Sequence, residues 1–285
     1  MVSASDPDEQ RAASRETWER AADGWGRRAD RVRTWGMPVS EAMVAKLDLA
    51  PGQRVLELAA GPGDTGFMAA QRVIPGGTLI CSDGAEAMLE VARARAAAAG
   101  IDNVEFAQLE LEWIDLPTAN VDAVLCRWGI MLIVDPDAAA HEVRRVLRTG
   151  GRAAFAVWDL PERNPWATIP SRVMVELGHA PPPDPDAPGM FSLAAPGALP
   201  ELLEGAGFVD VDVQAVALER RYTTADEFVS ETEDMSPMFS GRFRELEPAG
   251  QDEVRAQIRA GAERYAQPDG EVVLPGSSLV AVGFA

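Results

Sequence analysis

The segment Gly61-Pro-Gly63-Asp-Thr-Gly66 spaces three glycines so that the chain can turn tightly and a ligand can approach its backbone. It lies between a strand-like run, 54–59, and a helical stretch ending at Arg72, which puts unpaired helix N–H groups at the mouth of the loop. Asp83 stands 20 residues beyond Gly63 at the end of the next apolar run, where a carboxylate can accept both hydrogen bonds of a ribose diol. This much suits either a pyrophosphate-bridged dinucleotide or an adenosine joined to methionine. Glu57, just before the loop, separates the two, because its carboxylate repels pyrophosphate and attracts an ammonium. After the third apolar run, Glu110-Leu111-Glu112 offers a hydrogen-bond acceptor and an apolar contact for an adenine. A nucleotide-dependent oxidoreductase would also call for a Tyr–Lys proton relay. Neither Tyr222 nor Tyr265 has a lysine four residues on, and Lys46 is the sole lysine of the chain.

Chemistry at a second substrate has fewer candidates. Only two histidines are present. His141 falls off the apolar stripe of its helix, among Arg144, Arg145 and Arg148, which is a solvated position. His179 follows Gly178 at the end of a helical segment and is the expected general base, with helix-end capping as the plainer alternative. Arg127-Trp128 follows the fourth strand-like run, on the rim where open α/β sheets bind ligands, and Arg127 is a second catalytic candidate. Trp18, Trp25, Trp128, Trp158 and Trp166 are candidates for an aromatic acceptor pocket, or for packing of added helices on the sheet. No cluster has metal-ligand spacing, and no metal is expected.

These residues need a frame. Apolar runs at 78–82, 104–109, 121–126 and 152–158 alternate with helical stretches at 86–99 and 137–148. Strands separated by helices mean crossover connections, hence a largely parallel sheet with helices on both faces. The rhythm breaks after Trp158 and resumes with a helix near 198–206 and a strand near 209–217. The division expected is an N-terminal helical lid at 1–37, a cofactor-binding core at 38–158 and a cap insertion at 159–195. A core continuation at 196–220, a helical cap at 221–268 and a final core strand at 269–285 complete it. Pro38 and Ser40 are expected to open a new helix after the lid.

Among the 285 residues, 45 are acidic and 26 are Lys or Arg, a formal net charge of −19 that disfavours phosphate backbones and anionic lipid. With 47% hydrophobic residues the chain can bury a large core. The two cysteines, Cys81 and Cys126, each sit in an apolar run and read as buried thiols, which points to a reducing compartment. No signal peptide or membrane span is evident, so a cytoplasmic protein is expected. The expected partner is a small molecule, with no nucleic acid and no membrane, and a homodimer is the assembly the reading allows.

The run Val55-Leu-Glu-Leu-Ala-Ala-Gly-Pro-Gly63 resembles the first motif of class I S-adenosylmethionine-dependent methyltransferases, in particular the UbiE-like group acting on small molecules. Asp83 with Met88-Leu89, Val104-Glu-Phe106, the run from Val121 to Arg127, the run from Glu142 to Gly151, and Ala206-Gly-Phe208 extend the resemblance over roughly residues 50–215. Glu57 and Glu110 stand where aspartate is commoner, Ala60 replaces a frequent cysteine or glycine, and Thr149 a frequent proline. The resemblance implies a Rossmann-like sheet of seven strands, the last antiparallel, with an added helical cap. It implies that Glu57, Gly61 and Gly63 hold the methionine end of S-adenosylmethionine and that Asp83 holds the ribose. Gly84, Met88, Glu110 and Leu111 would surround the adenine, and Cys126 with Arg127 would face the cofactor. The reaction implied is methylation of an oxygen or carbon, less readily a nitrogen, of a fairly apolar acceptor such as a phenol, quinol or secondary metabolite. The alternatives are an NAD(P)-dependent oxidoreductase and a non-catalytic cofactor-binding protein.

Overall fold

The structure, a computed structural model, describes residues 6–184 and 187–285. Its seven strands are β1 (Arg54–Leu58), β2 (Thr78–Asp83), β3 (Val104–Gln108), β4 (Val121–Arg127), β5 (Leu147–Trp158), β6 (Val209–Tyr222) and β7 (Val272–Phe284). They form one sheet in the order β3-β2-β1-β4-β5-β7-β6. The β1, β2, β3, β4 and β5 pairings are parallel, and β7 runs antiparallel to both β5 and β6. The expected architecture is therefore present, last strand included. Strand order reverses between β1 and β4, which opens a crevice at their C-terminal ends. Burial on both faces explains the near-continuous apolar runs: Val55, Leu56 and Leu58 of β1 and Val124, Leu125 and Cys126 of β4 are fully buried.

The crossover helices α2 (Asp64–Arg72), α3 (Glu86–Ala99) and α4 (Pro136–Val146) follow from their caps and stripes. Asp135 accepts a hydrogen bond from the Ala138 amide and Pro136 takes the first turn of α4, whose Ala139, Val143 and Val146 are buried. Strand β5 begins earlier than the sequence suggests, at Leu147. Thr149-Gly150-Gly151 is a bulge within it rather than a turn before it, where the register against β4 shifts between Val121 and Ala123. Strand β6 is longer than expected because its pairing with β7 continues out to Tyr222 and Val272. Strand β7 is a single element through Pro275, an exposed residue opposite Glu219.

At the N-terminus one 41-residue helix, α1 (Pro7–Leu47), replaces the two helices expected, and the backbone does not break at Pro38. Two features hold the helix through that point. Pro38 itself is exposed, so its ring meets solvent, while Val32, Trp35, Val39, Met43 and Leu47 recur at helical spacing and are buried in the main core. Burial of such side chains contributes about 1.5–3 kcal/mol each, enough to outweigh the roughly 3 kcal/mol penalty of an interior proline. The remaining helices are α5 (Pro165–Glu176), α6 (Ala198–Gly205), α7 (Ala225–Met235), α8 (Pro237–Arg244) and α9 (Pro248–Glu263). The last three divide the polar stretch 221–268 at Pro237 and Pro248, each in a first helical turn. Ile169, Phe228, Phe239, Ile258 and Leu274 build a second apolar cluster joining α5, α7, α8 and α9 to β7.

Pro38 denies the Thr34 carbonyl its helical partner. Replacing it by alanine should raise stability by about 1–2 kcal/mol, a gain of roughly 2–6 °C in the unfolding midpoint. Calorimetric melting checks this; an unchanged or lower midpoint would show that the helix is already relaxed around the proline.

Candidate active site

The crevice at the reversal is built from the ends of β1, β2 and β4. Glu57 lies in β1 with Cys81 and Leu125 beside it in register, and its side chain is buried. The Glu57 Oε1 accepts a hydrogen bond from the Gly66 amide at 2.7 Å, while Oε2 is buried without a partner. A Cβ on Gly66 would collide with this carboxylate, so the third glycine of the loop makes room for Glu57. Burial pushes the Glu57 carboxyl up to about 8, against the opposing effects of the Gly66 amide and of Arg127.

The loop after β1 turns through Ala59 (φ 50°), Gly61 (φ 52°) and Gly63 (φ 87°), all in the left-handed region. Ala59 is the unexpected member, since a side chain there is strained. Its methyl group fills space that Gly129 leaves: a Cβ on Gly129 would stand 2.5 Å from the Ala59 Cβ. Asp83 at the end of β2 braces the same loop, accepting from the Gly61 amide at 2.9 Å and the Ala85 amide at 3.0 Å. Burial raises the Asp83 carboxyl to about 6, partly opposed by these two amides. A carboxylate has further lone pairs, so this brace leaves acceptor capacity free.

Arg127 ends β4. Its guanidinium lies over the Trp128 ring, 4.5 Å from the centroid, and its Nη1 is buried with no partner. The approach depends on Gly36 of α1, where a Cβ would come within 2.5 Å of that nitrogen. Burial lowers the Arg127 pKa, and the charges of Asp64 and Glu57 oppose the shift.

These groups line one cavity of about 140 Å³. Glu57, Gly61, Asp83, Gly84 and Met88 contribute to it from β1, β2 and α3, as do Glu110 and Leu111 from the segment after β3. Arg127 and Trp128 continue the lining past β4, and Trp18 and Trp25 face it from α1. Thus most of the expected cofactor residues and three of the five tryptophans come together. Five expected residues do not line the cavity: Gly63, Cys126, Trp158, Trp166 and His179. Gly63 is the N-cap of α2, in contact with the Phe67 ring, and Cys126 is wholly buried in the sheet. Trp158 stacks behind Trp128 with centroids 4.2 Å apart, and Trp166 lies behind Trp158 at 4.6 Å. His179 follows α5, with its amide donating to the Met174 carbonyl, and His141 is exposed.

Sequence reasoning missed the polar face of α1. Arg11, Ser14 and Arg15 join Trp18 and Trp25 in the lining, at the spacing of one helix face. Arg11 pairs with Glu112 at 3.1 Å and Arg15 with Glu110 at 2.6 Å. Glu19 accepts from the Glu86 and Ala87 amides at 2.7 and 3.0 Å, capping α3, whose own N-cap residue is Ala85. Leu132 and Ile133, after β4, add apolar wall.

The chemistry of this donor set suits a methionine-linked adenosine. An acceptor without a partner on Glu57 and a donor without a partner on Arg127 match an amino-acid zwitterion, an ammonium with a carboxylate. Asp83 and Glu110 supply further acceptors in the same lining, and a Cβ on Gly84 would come within 3.2 Å of the Glu110 carboxylate. Four carboxylates, Glu57, Asp83, Glu110 and Glu112, make a poor receptacle for pyrophosphate.

Comparison with known proteins finds methyltransferases. Residues 55–151 match a family model described as a methyltransferase domain. The chain is 31% identical over 204 residues to nocamycin O-methyltransferase of Saccharothrix syringae, covering 68% of this chain and 73% of that protein. It is 35% identical over 111 residues to the ubiquinone/menaquinone biosynthesis C-methyltransferase UbiE of Xanthomonas campestris, covering 39% of this chain. The chain spans 44% of the length of that UbiE. Among solved structures, the Bacillus subtilis protein YcgJ superposes with a TM-score of 0.58 at 18% identity, over 86% of this chain and 97% of its own, a likeness of fold.

The raised carboxyls set a pH dependence. Glu57 near 8 and Asp83 near 6 carry protons in the ligand-free protein that a cationic, diol-bearing ligand must displace. Affinity for S-adenosylhomocysteine should therefore rise with pH between 5 and 8, by about tenfold per unit for each group still protonated. Native values above the unfolded ones mean that the folded state holds more protons, so these groups make the ligand-free protein less stable as pH rises over the same window. Calorimetry across pH checks the first effect and melting the second. Glu57→Gln should flatten the upper part of both curves, and a pH-independent affinity would contradict the assignment.

Proposed function

We propose, from the premise that this chain belongs to the S-adenosylmethionine-dependent methyltransferases, that it methylates an oxygen of a small, fairly apolar acceptor, with a carbon acceptor as the second choice. The observation that carries this reading is the pair of unpartnered polar groups, the Glu57 carboxyl and the Arg127 guanidinium, in the lining of a cavity whose other acidic groups suit a ribose and an adenine. The named relative matched over the larger share of its length is an O-methyltransferase, which favours oxygen over carbon.

The cofactor supplies an activated sulfonium methyl group, so the protein has to align, exclude water and manage charge. Glu57 would receive the ammonium and Arg127 the carboxylate of the methionine end. Asp83 would take the ribose hydroxyls while still bracing the glycine loop. Gly84, Met88 and Leu111 would border the adenine, with Glu110 exchanging Arg15 for the adenine's amino group. The segment of α1 from Arg11 to Trp25 acts as a lid, fastened by Arg11, Arg15 and Glu19, and must lift for exchange. Trp25 ties this lid to the cap, its indole N–H donating to the Met235 carbonyl at 3.1 Å.

Trp25, Trp128, Leu132 and Ile133 make the apolar side that would meet the acceptor. No histidine lines the cavity, so the reading drops His179 as base and keeps Arg127 as the partner of the cofactor's carboxylate. The helices at 159–195 and 221–268 would bound the acceptor's distal end.

Methyl transfer from labelled S-adenosylmethionine to a panel of phenols, quinols and carboxylic acids tests the reading, with calorimetry against S-adenosylhomocysteine and NAD(P)H alongside. Product on an oxygen acceptor is expected, with S-adenosylhomocysteine bound and NAD(P)H not. Tight NAD(P)H binding without response to the sulfur compounds would favour the oxidoreductase alternative, and binding without turnover a cofactor-binding protein. Asp83→Ala should weaken S-adenosylhomocysteine binding by tenfold or more, since it removes both the ribose acceptor and the Gly61 brace. An unchanged dissociation constant would mean the ribose lies elsewhere.

A further inference from the structure

Asp83 holds the glycine loop from one side, through the Gly61 amide. The loop needs a second hold, because Ala59, Gly61 and Gly63 all stand in the left-handed region and persist there only if their surroundings fix them. Gly63 is also the N-cap of α2 and has no side chain with which to cap it. The second hold comes from α3. Arg95 lies about two turns beyond the cavity-lining Met88, on the same helix face. Its Nε donates to the Pro62 carbonyl at 3.2 Å and its Nη2 to the Asp64 Oδ1 at 2.6 Å. Pro62 lines the cavity, while Asp64 opens α2 and is buried. One planar guanidinium therefore spans the residues on either side of Gly63. Its other contact, from Nη1 to the Asp30 Oδ1 of α1 at 3.2 Å, ends on a side chain that is 92% exposed and so contributes little.

We infer that Arg95 is a positioning residue for the methionine end of the cofactor: by clamping Pro62 and Asp64 together it fixes the turn at Gly63, an inference that rests on the methyltransferase reading for the identity of the ligand. Arg95 is not part of the cavity lining, so it acts through the loop. The clamp sets directions. The Gly66 amide that holds the Glu57 Oε1 belongs to the helical turn opening at Asp64. Displacing Asp64 carries that amide away from the carboxylate that would meet the ammonium. The charge of Asp64 is also felt by both receiving groups. Burial lowers the Arg127 pKa and Asp64 opposes it, whereas burial raises the Glu57 carboxyl and Asp64 adds to the rise. The adenosine end depends instead on Asp83, Glu110 and Met88, which the clamp does not touch.

Calorimetry with two ligands tests this: S-adenosylhomocysteine, and 5′-methylthioadenosine, which keeps the adenosine and the sulfur but lacks the amino-acid end. Arg95→Ala should weaken S-adenosylhomocysteine by roughly tenfold and 5′-methylthioadenosine by less than about threefold. Asp30→Ala should change either by less than about twofold. In the ligand-free protein, amide hydrogen exchange over 59–66 should quicken by about fivefold or more in Arg95→Ala, with β4 and β5 unchanged. Arg95→Lys, which keeps the charge but cannot span both acceptors, should show the same selective losses in smaller measure and serves if the alanine variant fails to fold. Equal losses on the two ligands would reduce Arg95 to an ion pair between α2 and α3 and overturn the inference. Unchanged S-adenosylhomocysteine affinity, or unchanged exchange in the loop, would do the same. Failure of the unsubstituted protein to bind either ligand would instead count against the methyltransferase reading, so the two outcomes separate.

Discussion

A single buried carboxylate governs the arrangement of this site. Glu57 sits at the point where the sheet reverses direction, satisfied on one oxygen by the Gly66 amide and unsatisfied on the other. Removing a carboxylate from water is costly unless it is paired, so the fold must either neutralise it with a proton or supply a cation. Much of the surrounding chemistry follows. Gly66 must lack a side chain for the carboxylate to fit, and Arg127 is drawn into the interior against its own desolvation. An incoming ammonium finds a waiting partner. The apolar β-strands on either side make this tension possible because they exclude water from both faces of β1.

The second organising feature is aromatic. Trp128, Trp158 and Trp166 form a succession of rings from the cavity wall to the cap helix α5, and Trp35 of α1 lies against all three. The Arg220 guanidinium of β6 lies between Trp35 and Trp166, 3.7 and 3.4 Å from their centroids. Glu231 of α7 faces it at 3.6 Å and also receives Arg31 and the Tyr222 hydroxyl. Core, cap and N-terminal helix therefore meet in one buried group of rings and charges. Their relative placement fixes the shape of the acceptor side without any of these distal residues touching the cavity.

Much of this was readable in the sequence wherever the signal was local. The ends of β1 and β2 and the segment after β3 follow from short apolar runs and a glycine loop, so Glu57, Asp83 and Glu110 could be placed before any coordinates. What escaped was long-range. The Trp128 indole N–H donates to the Ser278 Oγ across 150 residues of chain, and no periodicity links the two. Trp158 and Trp166 have the composition of a pocket but pack behind one, a distinction that depends on tertiary burial. Pro38 carries a helix-breaking signal that packing of α1 on the sheet overrides, and Thr149-Gly150-Gly151 has the chemistry of a turn yet serves as a bulge. The strain at Ala59 has no sequence signature other than the absence of glycine.

That strain makes the history of the site directional. Ala59 and Gly129 share one small volume, so the residue permitted at either position depends on the other. Alanine at position 129 is excluded while Ala59 keeps its methyl group, whereas glycine at position 59 is open at any time and relieves the left-handed backbone. A side chain at position 129 therefore calls first for glycine at position 59, in the loop beside the cofactor. Variation in the acceptor pocket is thereby contingent on a position that never needs to meet the acceptor.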